Sequence, residues 1–127
     1  MTKIYLSGAS KNIADEGQGW RDKAEELLDC EVFNPNKHYN YSTLVPSSDK
    51  ACMNLFFYHL ATSDIILVNL DDTDKSVGTG FELGFALSHS KQIIGFGNKN
   101  TYGWAIEACD YIADNLEAAA EYIRIHY

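Results

Sequence analysis

The sequence predicts one α/β domain, residues 1–127, built on an open parallel sheet of about five strands with helices on its faces. Two observations support this fold class. Short apolar segments of strand length alternate along the chain with segments of helical periodicity, which is the pattern of βαβ units. Residues 65–68 are consecutive apolar residues followed closely by Leu70, as expected of a strand that helices cover on both faces. The length of 127 residues allows one core and no second domain.

The first third of the chain has signals for two strands and a helix. Residues 3–8 form a mainly apolar run that ends in Ser and Gly, which predicts a buried first strand. Residues 19–28 have apolar side chains at the spacing of one helix face, and residues 31–33 predict a short strand ended by an Asn-Pro-Asn turn. The polar segment of residues 34–48 is long for a connection. It is either a binding or lid loop or an ordinary link.

The remaining elements continue the alternation of strands and helices. A serine, Ser47 or Ser48, can cap a helix that runs to about residue 62. Asp114, with Glu117 three residues later, has the pattern of a capping box that starts a last helix. The other predicted elements are strands at residues 64–70 and 92–96, a short strand near residues 111–112, and helices at residues 80–90 and 116–123.

The charge balance and the potential metal ligands exclude several classes of protein. The chain has 10 Lys and Arg against 18 Asp and Glu, a net charge of −8, so we expect no nucleic acid polymer as a partner. No segment has the ~20 apolar residues that cross a bilayer, and the N-terminal apolar stretch is too short for a secretory signal. We therefore expect a cytoplasmic protein without a membrane partner. The Cys and His residues lack the spacing of metal ligands, which predicts no metal site.

The carboxyl ends of the predicted strands mark where a ligand is expected, because open parallel sheets bind ligands at that edge. One of these ends, residues 69–80, combines an acidic loop with a glycine-containing start of a helix. Gly78 and Gly80 leave room there for a ligand or another backbone to approach closely. The sequence therefore predicts a binding site between this loop and the predicted helix.

Glu82, at the start of that predicted helix, has two interpretations. With Thr79 three residues earlier it fits a capping box, in which the glutamate binds a backbone N–H at the helix start. Alternatively, it is an anion held at the helix N-terminus and facing the ligand cleft. Such a carboxylate can attack an anomeric carbon and form a glycosyl-enzyme intermediate.

Three segments, YLSG at residues 5–8, SDIILVNL at residues 63–70 and SVGTGFELGFA at residues 76–86, have an order and spacing that resemble the nucleoside 2-deoxyribosyltransferase family. The third segment is the most specific of them. The resemblance implies a flavodoxin-like fold, a homo-oligomer with active sites shared between subunits, and no metal or cofactor. It also implies nucleoside or nucleotide substrates, whose 2-deoxyribosyl group is transferred or cleaved off.

The resemblance also implies roles for individual residues, by their position in these segments. Glu82 is the implied nucleophile, which forms a covalent deoxyribosyl intermediate, and Tyr5 is the residue that orients it. The backbone at Gly8, Gly78 and Gly80 is expected to contribute to substrate binding.

Two positions depart from the family pattern. Ser76 and Phe56 stand where family transferases usually carry aspartates, so the resemblance does not assign base recognition or protonation of the leaving base. Ser76 is similar to a serine of the related deoxynucleoside 5′-monophosphate N-hydrolases, where a hydroxyl suits a 5′-phosphate better than a carboxylate. It is otherwise a plain loop serine. Asp71, Asp72 and Asp74 either supply a substrate-binding acid or form a solvated acidic loop.

The sequence thus favours an enzyme that transfers or cleaves the 2-deoxyribosyl group of a nucleoside or nucleotide at its N-glycosidic bond. One alternative is a deoxynucleoside 5′-monophosphate N-glycosidase, a hydrolase, which Ser76 favours. Another is a non-catalytic nucleotide-binding or sensing protein, which the two missing aspartates favour. The acidic surface opposes entry of a phosphate dianion unless local donors compensate.

Overall fold

The computed structural model describes residues 2–11, 13–38 and 48–127, without the side chain of Ser48. Within these ranges the sheet consists of strands β1 (Lys3–Gly8), β2 (Glu31–Phe33), β3 (Ile65–Asn69), β4 (Gln92–Phe96) and β5 (Tyr111–Ala113). All neighbouring strands are parallel, and their order is β2-β1-β3-β4-β5. This order is that of flavodoxin-like proteins, so the predicted fold class is confirmed.

The strands are connected by helices α1 (Gln18–Leu27), α2 (Ser48–Thr62), α3 (Val77–Ser88) and α4 (Gly103–Ala108), and α5 (Leu116–His126) follows the last strand. Within the described part of the chain, no helix is long and apolar enough to cross a membrane. Helix α4 was not predicted, because its six residues are too few to show a helical period. Most of the polar segment that we predicted as a binding loop or link, residues 39–47, lies outside the described residues.

Helices pack on both faces of the sheet, so each strand contributes side chains to two cores. On β1, Ile4 and Leu6 face α1 and α5, whereas Tyr5 faces α2, α3 and α4. Strand β3 alternates in the same way between these two apolar clusters. Because successive strand side chains point to opposite faces and both faces are covered, the strand sequences are apolar without alternation.

The strand order reverses between β1 and β3, which lie side by side in the middle of the sheet. Gly8 at the end of β1 pairs with Asn69 at the end of β3, so the two strands end at one level. The chain leaves β1 toward one side of the sheet and leaves β3 toward the other, which opens a crevice between the two connections. The connection after β3 leads into α3, the helix that carries Glu82.

The predicted start of one helix and the predicted cap of another were wrong. Helix α3 begins at Val77 rather than at Gly80, because the Ser76 side chain accepts the Thr79 backbone N–H and caps the helix. Helix α5 is capped by Asn115, whose Oδ1 accepts the Ala118 backbone N–H at 2.8 Å. The predicted capping box that starts at Asp114 is therefore one residue out of register.

Candidate active site

Glu82 projects from α3 onto the end of β1, where two hydroxyl groups bind its carboxylate. Ser7 Oγ donates a hydrogen bond to Glu82 Oε1 at 2.7 Å, and the Tyr5 hydroxyl donates to Oε2. Because the helix cap is Ser76 and not Thr79, the capping-box interpretation of Glu82 is wrong. The earlier helix start also puts Glu82 in the second turn of α3, where the helix dipole contributes less than at the terminus.

Strand β1 presents both hydroxyl donors because alternate residues of a strand share one face. Tyr5 and Ser7 are both fully buried, and the Tyr5 ring stacks on Phe33 of β2 at a centroid distance of 5.4 Å. Sequence reasoning assigned Tyr5 but missed Ser7. The sequence did contain the information needed to predict Ser7, because a residue two positions after Tyr5 on a strand points to the same face of the sheet as Tyr5.

Burial of the Glu82 carboxyl raises its pKa above the usual value for glutamate, because desolvation penalises the charged form. The hydrogen bonds from Tyr5 and Ser7 and the positive charge of Arg21 act in the opposite direction. The net result is a carboxylate that is poorly hydrated but held by two donors. A poorly hydrated, oriented carboxylate is a good nucleophile.

Arg21 supplies that positive charge from inside the protein. It is only 2% exposed, its guanidinium donates to the carbonyls of Gly8 (2.9 Å) and Gly17 (3.0 Å), and it lies over the Trp20 ring. A buried guanidinium fixed by backbone carbonyls cannot move to follow a ligand. It therefore acts as a permanent positive charge near the Glu82 carboxylate.

A cavity of about 360 Å³ opens on one side of Glu82. One of its walls is apolar and comes mainly from α2 and α3. Its lining includes Met53, Phe56, Phe57, Leu60 and Phe81. Among the described residues, the charged groups that line it are Lys11, Asp49 and Glu82 itself. A flat, largely apolar group such as a nucleobase is the kind of ligand that an apolar and aromatic wall accommodates.

A second cavity, of about 410 Å³, is also lined by Glu82. The residues that line both cavities are Lys11, Phe56, Gly78 and Glu82. The second cavity is cationic: three of the ten Lys and Arg of the chain, Lys11, Arg21 and Lys75, line it together with Ser10 and the N-terminal residues of α3. Glu82 thus lines both a largely apolar cavity and a positively charged one.

The structure brings most of the predicted site residues together around Glu82. Tyr5 binds the carboxylate, whereas Gly8, Ser76 and Gly78 line the cationic cavity. Gly80 instead faces a separate, open cavity between α3 and Tyr102.

The three aspartates of the acidic loop line neither of the two cavities that contain Glu82. Asp71 Oδ1 accepts the backbone N–H groups of Asn98 and Lys99, at 3.0 and 2.8 Å, and so supports the turn after β4. Asp72 binds the Asn100 side chain and pairs with Lys75. Asp74 lines the open cavity beside Gly80.

Solved structures with the same fold support the flavodoxin-like fold class described above. The chain is similar to a 2-deoxyribosyltransferase from Bacillus psychrosaccharolyticus (TM-score 0.77, 20% identity, 95% of this chain and 92% of that chain covered). It is also similar to a conserved protein from Enterococcus faecalis V583 (TM-score 0.75, 15% identity, 100% and 99% covered). A 2-desoxiribosyltransferase from Leishmania mexicana gives a TM-score of 0.73 at 18% identity, with 100% and 99% covered.

The sequence itself places the chain in a family. No curated protein sequence matches it significantly. The family model of the nucleoside 2-deoxyribosyltransferases matches residues 4–116, a range that spans the sheet, Glu82 and both hydroxyl donors. The chain therefore belongs to the nucleoside 2-deoxyribosyltransferase family.

Proposed function

We propose that this protein breaks the N-glycosidic bond of a 2′-deoxynucleoside or its 5′-monophosphate and transfers the deoxyribosyl group through a covalent intermediate on Glu82. One observation carries the proposal: the Glu82 carboxylate is bound by Tyr5 and Ser7 at the junction of an apolar and a cationic cavity. A nucleobase in the first cavity and the sugar at the junction put C1′ beside a carboxylate oxygen.

The reaction then runs in two displacements at C1′. Glu82 Oε attacks C1′ as the C1′–N bond breaks, and the electron pair of that bond leaves with the base. A second base, or water, attacks the same carbon and returns the carboxylate. The Tyr5 and Ser7 hydroxyls keep the carboxylate oriented in both steps, and the charge of Arg21 stabilises it when it is released.

The cationic cavity favours 5′-monophosphates as the better substrates. The chain has a net charge of −8, yet Lys11, Arg21 and Lys75 all line one cavity. This cavity is therefore locally positive in an acidic protein. The polar side chains of Ser10 and Ser76 and the first turn of α3 also line this cavity. These groups compensate for the cost of bringing a phosphate dianion to an acidic protein.

The test is a turnover assay with the four 2′-deoxynucleosides and their 5′-monophosphates, with and without free acceptor bases, monitored by separation of the bases and nucleosides. We expect release or exchange of a base by the wild type and no turnover by Glu82→Ala. Exchange supports a transferase, and release without exchange supports an N-glycosidase. Ligand binding without turnover by the wild type would instead support the sensor, and turnover by Glu82→Ala would exclude this residue as the nucleophile.

We further propose that the active form is a homo-oligomer in which a second copy covers α3 and α4. Val77, Phe81 and Trp104 are 77%, 66% and 77% exposed, although all three are large and apolar. Gly80 and Gly84 lie on α3 with Val77 and Phe81, and a Cβ at either glycine would meet open space. A glycine inside a helix costs about 0.5–1 kcal/mol relative to alanine, so close approach by another backbone is the simplest reason for two of them.

A further inference from the structure

The proposed reaction leaves the departing base without a proton donor. A purine or pyrimidine leaves C1′ as an anion unless an acid protonates it, and that protonation contributes about 10²–10⁴-fold in rate. Phe56 occupies the position where an aspartate was expected, and its ring is part of the apolar wall. The three aspartates of the acidic loop line neither cavity that contains Glu82. An acid must therefore come from elsewhere in the fold.

We propose that Asp49 is this acid, an inference that rests on the proposed function. Asp49 lies in the first turn of α2 and lines the same cavity as Glu82. In the described part of the chain, it and Glu82 are the two carboxyl groups of that cavity. Asp49 replaces the missing aspartate from a different position on the same helix.

The spacing along α2 explains how Asp49 reaches the cavity. Asp49, Met53, Phe56 and Leu60 follow one another at intervals of four, three and four residues, which is one face of a helix. All four line the cavity. A planar base that packs against Met53 and Phe56 would therefore have the Asp49 carboxyl group at one end of the same cavity wall.

The proton balance closes over the two displacements. In the first, the Asp49 carboxylic acid gives its proton to a nitrogen or oxygen of the base, while the electron pair of the C1′–N bond passes to the base. The bond from Glu82 Oε to C1′ forms in the same step. In the second, the Asp49 carboxylate takes a proton from the incoming base N–H or from water, and the bond to Glu82 breaks.

Among the described residues, Lys11 is the cationic side chain that lines this cavity, so it is the main competitor. It also lines the cationic cavity, together with Arg21 and Lys75, where an ammonium group is suited to bind an anion. This second position explains its presence without a role at the base. The experiment must still separate the two residues.

A matched pair of substrates isolates the leaving-group step: 2′-deoxyguanosine and its N7-methylated analogue, in whichever of the nucleoside and monophosphate forms the wild type uses. The methylated base carries a positive charge and leaves as a neutral molecule without a proton. We expect Asp49→Asn to lower kcat/KM for the unmethylated substrate by about 10²–10⁴-fold. The same variant should leave kcat/KM for the methylated substrate nearly unchanged.

Three control variants make the result specific. Glu82→Gln should abolish turnover of both substrates, because both need the nucleophile. Asp114→Asn, an exposed carboxyl that lines neither cavity, should change neither rate. Lys11→Met should lower turnover of a monophosphate to the same extent for both bases. Circular dichroism of each variant checks that it is folded.

The outcomes either support or overturn the assignment. An equal loss on both substrates for Asp49→Asn, or no loss on either, would overturn it while the proposed function stands. A loss confined to the unmethylated substrate in Lys11→Met and not in Asp49→Asn would assign the acid to Lys11. No turnover by the wild type of any of the four 2′-deoxynucleosides or their 5′-monophosphates would overturn both this inference and the proposed function.

Discussion

Ser7 Oγ donates a hydrogen bond to Glu82 Oε1 at 2.7 Å, which joins the end of β1 to the second turn of α3. Together with the bond from the Tyr5 hydroxyl, it fixes both carboxylate oxygens from one strand. The two donors share a face of β1 because they are two residues apart, so both reach the carboxylate that α3 presents. A substitution of Ser7 can therefore test the ionisation of Glu82.

Ser7→Ala should shift the pH dependence of turnover. Burial raises the pKa of Glu82, and the hydrogen bonds from Tyr5 and Ser7 lower it, so removal of the Ser7 hydroxyl raises the pKa further. Turnover requires the ionised carboxylate, so the rate increases as pH rises through this pKa. We expect the rising limb of the pH–kcat/KM profile to move to higher pH in Ser7→Ala. A lower rate with an unmoved limb would mean that Ser7 acts on packing alone.

Glu82→Gln should make the protein more stable at neutral pH while it removes activity. The pKa of Glu82 is higher in the folded than in the unfolded chain, so the folded state binds more protons between the two values, and stability falls as pH rises through that window. The glutamine side chain is uncharged, so it does not cause this loss of stability. Thermal melts should therefore give a higher Tm for Glu82→Gln at pH 7, and a difference that shrinks as pH falls through the folded-state pKa and is gone below the unfolded pKa of about 4.3. An equal difference at all pH values would contradict a charge-based cause.

Lys11→Met tests the preference for 5′-monophosphates. A charge-assisted hydrogen bond contributes about 1.5–3 kcal/mol, so its loss should raise KM for a monophosphate about tenfold or more. Values of KM for the matching nucleoside should change little. Lys23→Met is the matched control, because Lys23 is an exposed lysine of α1 that pairs with Glu117 and lines neither cavity. Equal effects on both substrates would show that the cationic cavity does not hold the phosphate.

Asp71→Ala should act on stability rather than on substrate binding. The carboxylate accepts the N–H groups of Asn98 and Lys99, so its loss leaves two backbone donors to water and costs about 1 kcal/mol at this exposed turn. Asp74→Ala, from the same loop, is the control for loss of a charge. Thermal and urea melts should show a lower stability for Asp71→Ala alone. A raised KM with an unchanged Tm would restore Asp71 as a substrate-binding residue.

The strands and the position of the site could be predicted because they depend on short-range patterns. The apolar run at residues 65–68 is long enough to identify a covered strand, and the parallel fold then places the ligand at its end. The role of Glu82 could not be decided from spacing, since a capping glutamate and a nucleophile both fit the start of a helix. Which of these two interpretations holds depends on where α3 begins. Ser76 and Thr79 could each cap a helix here, and residue spacing does not show that Ser76 is the cap.

Other site features depend on contacts between distant parts of the chain. Asp71 looked like a candidate acid because its partners, Asn98 and Lys99, lie 27 and 28 residues away in sequence. The sequence around Asp49 does not indicate a role at the site, because only the packing of α2 against α3 brings this residue into the cavity of Glu82. The family pattern has an aspartate at the position of Phe56. That position lies on the same face of α2 as Asp49, but two helical turns farther along the helix.

Trp104→Glu should dissociate the proposed oligomer. Trp104 is 77% exposed on α4, next to Tyr102 and on the side of the sheet that also exposes Val77 and Phe81. Burial of a glutamate carboxylate in an apolar interface is costly, so the variant should lose the interface while its own core stays intact. Light scattering after size exclusion should give a multiple of 14.2 kDa for the wild type and a smaller mass for the variant. Ile125→Glu, at a 62% exposed position of α5 on the opposite face, should keep the wild-type mass. A monomeric wild type would contradict the interface.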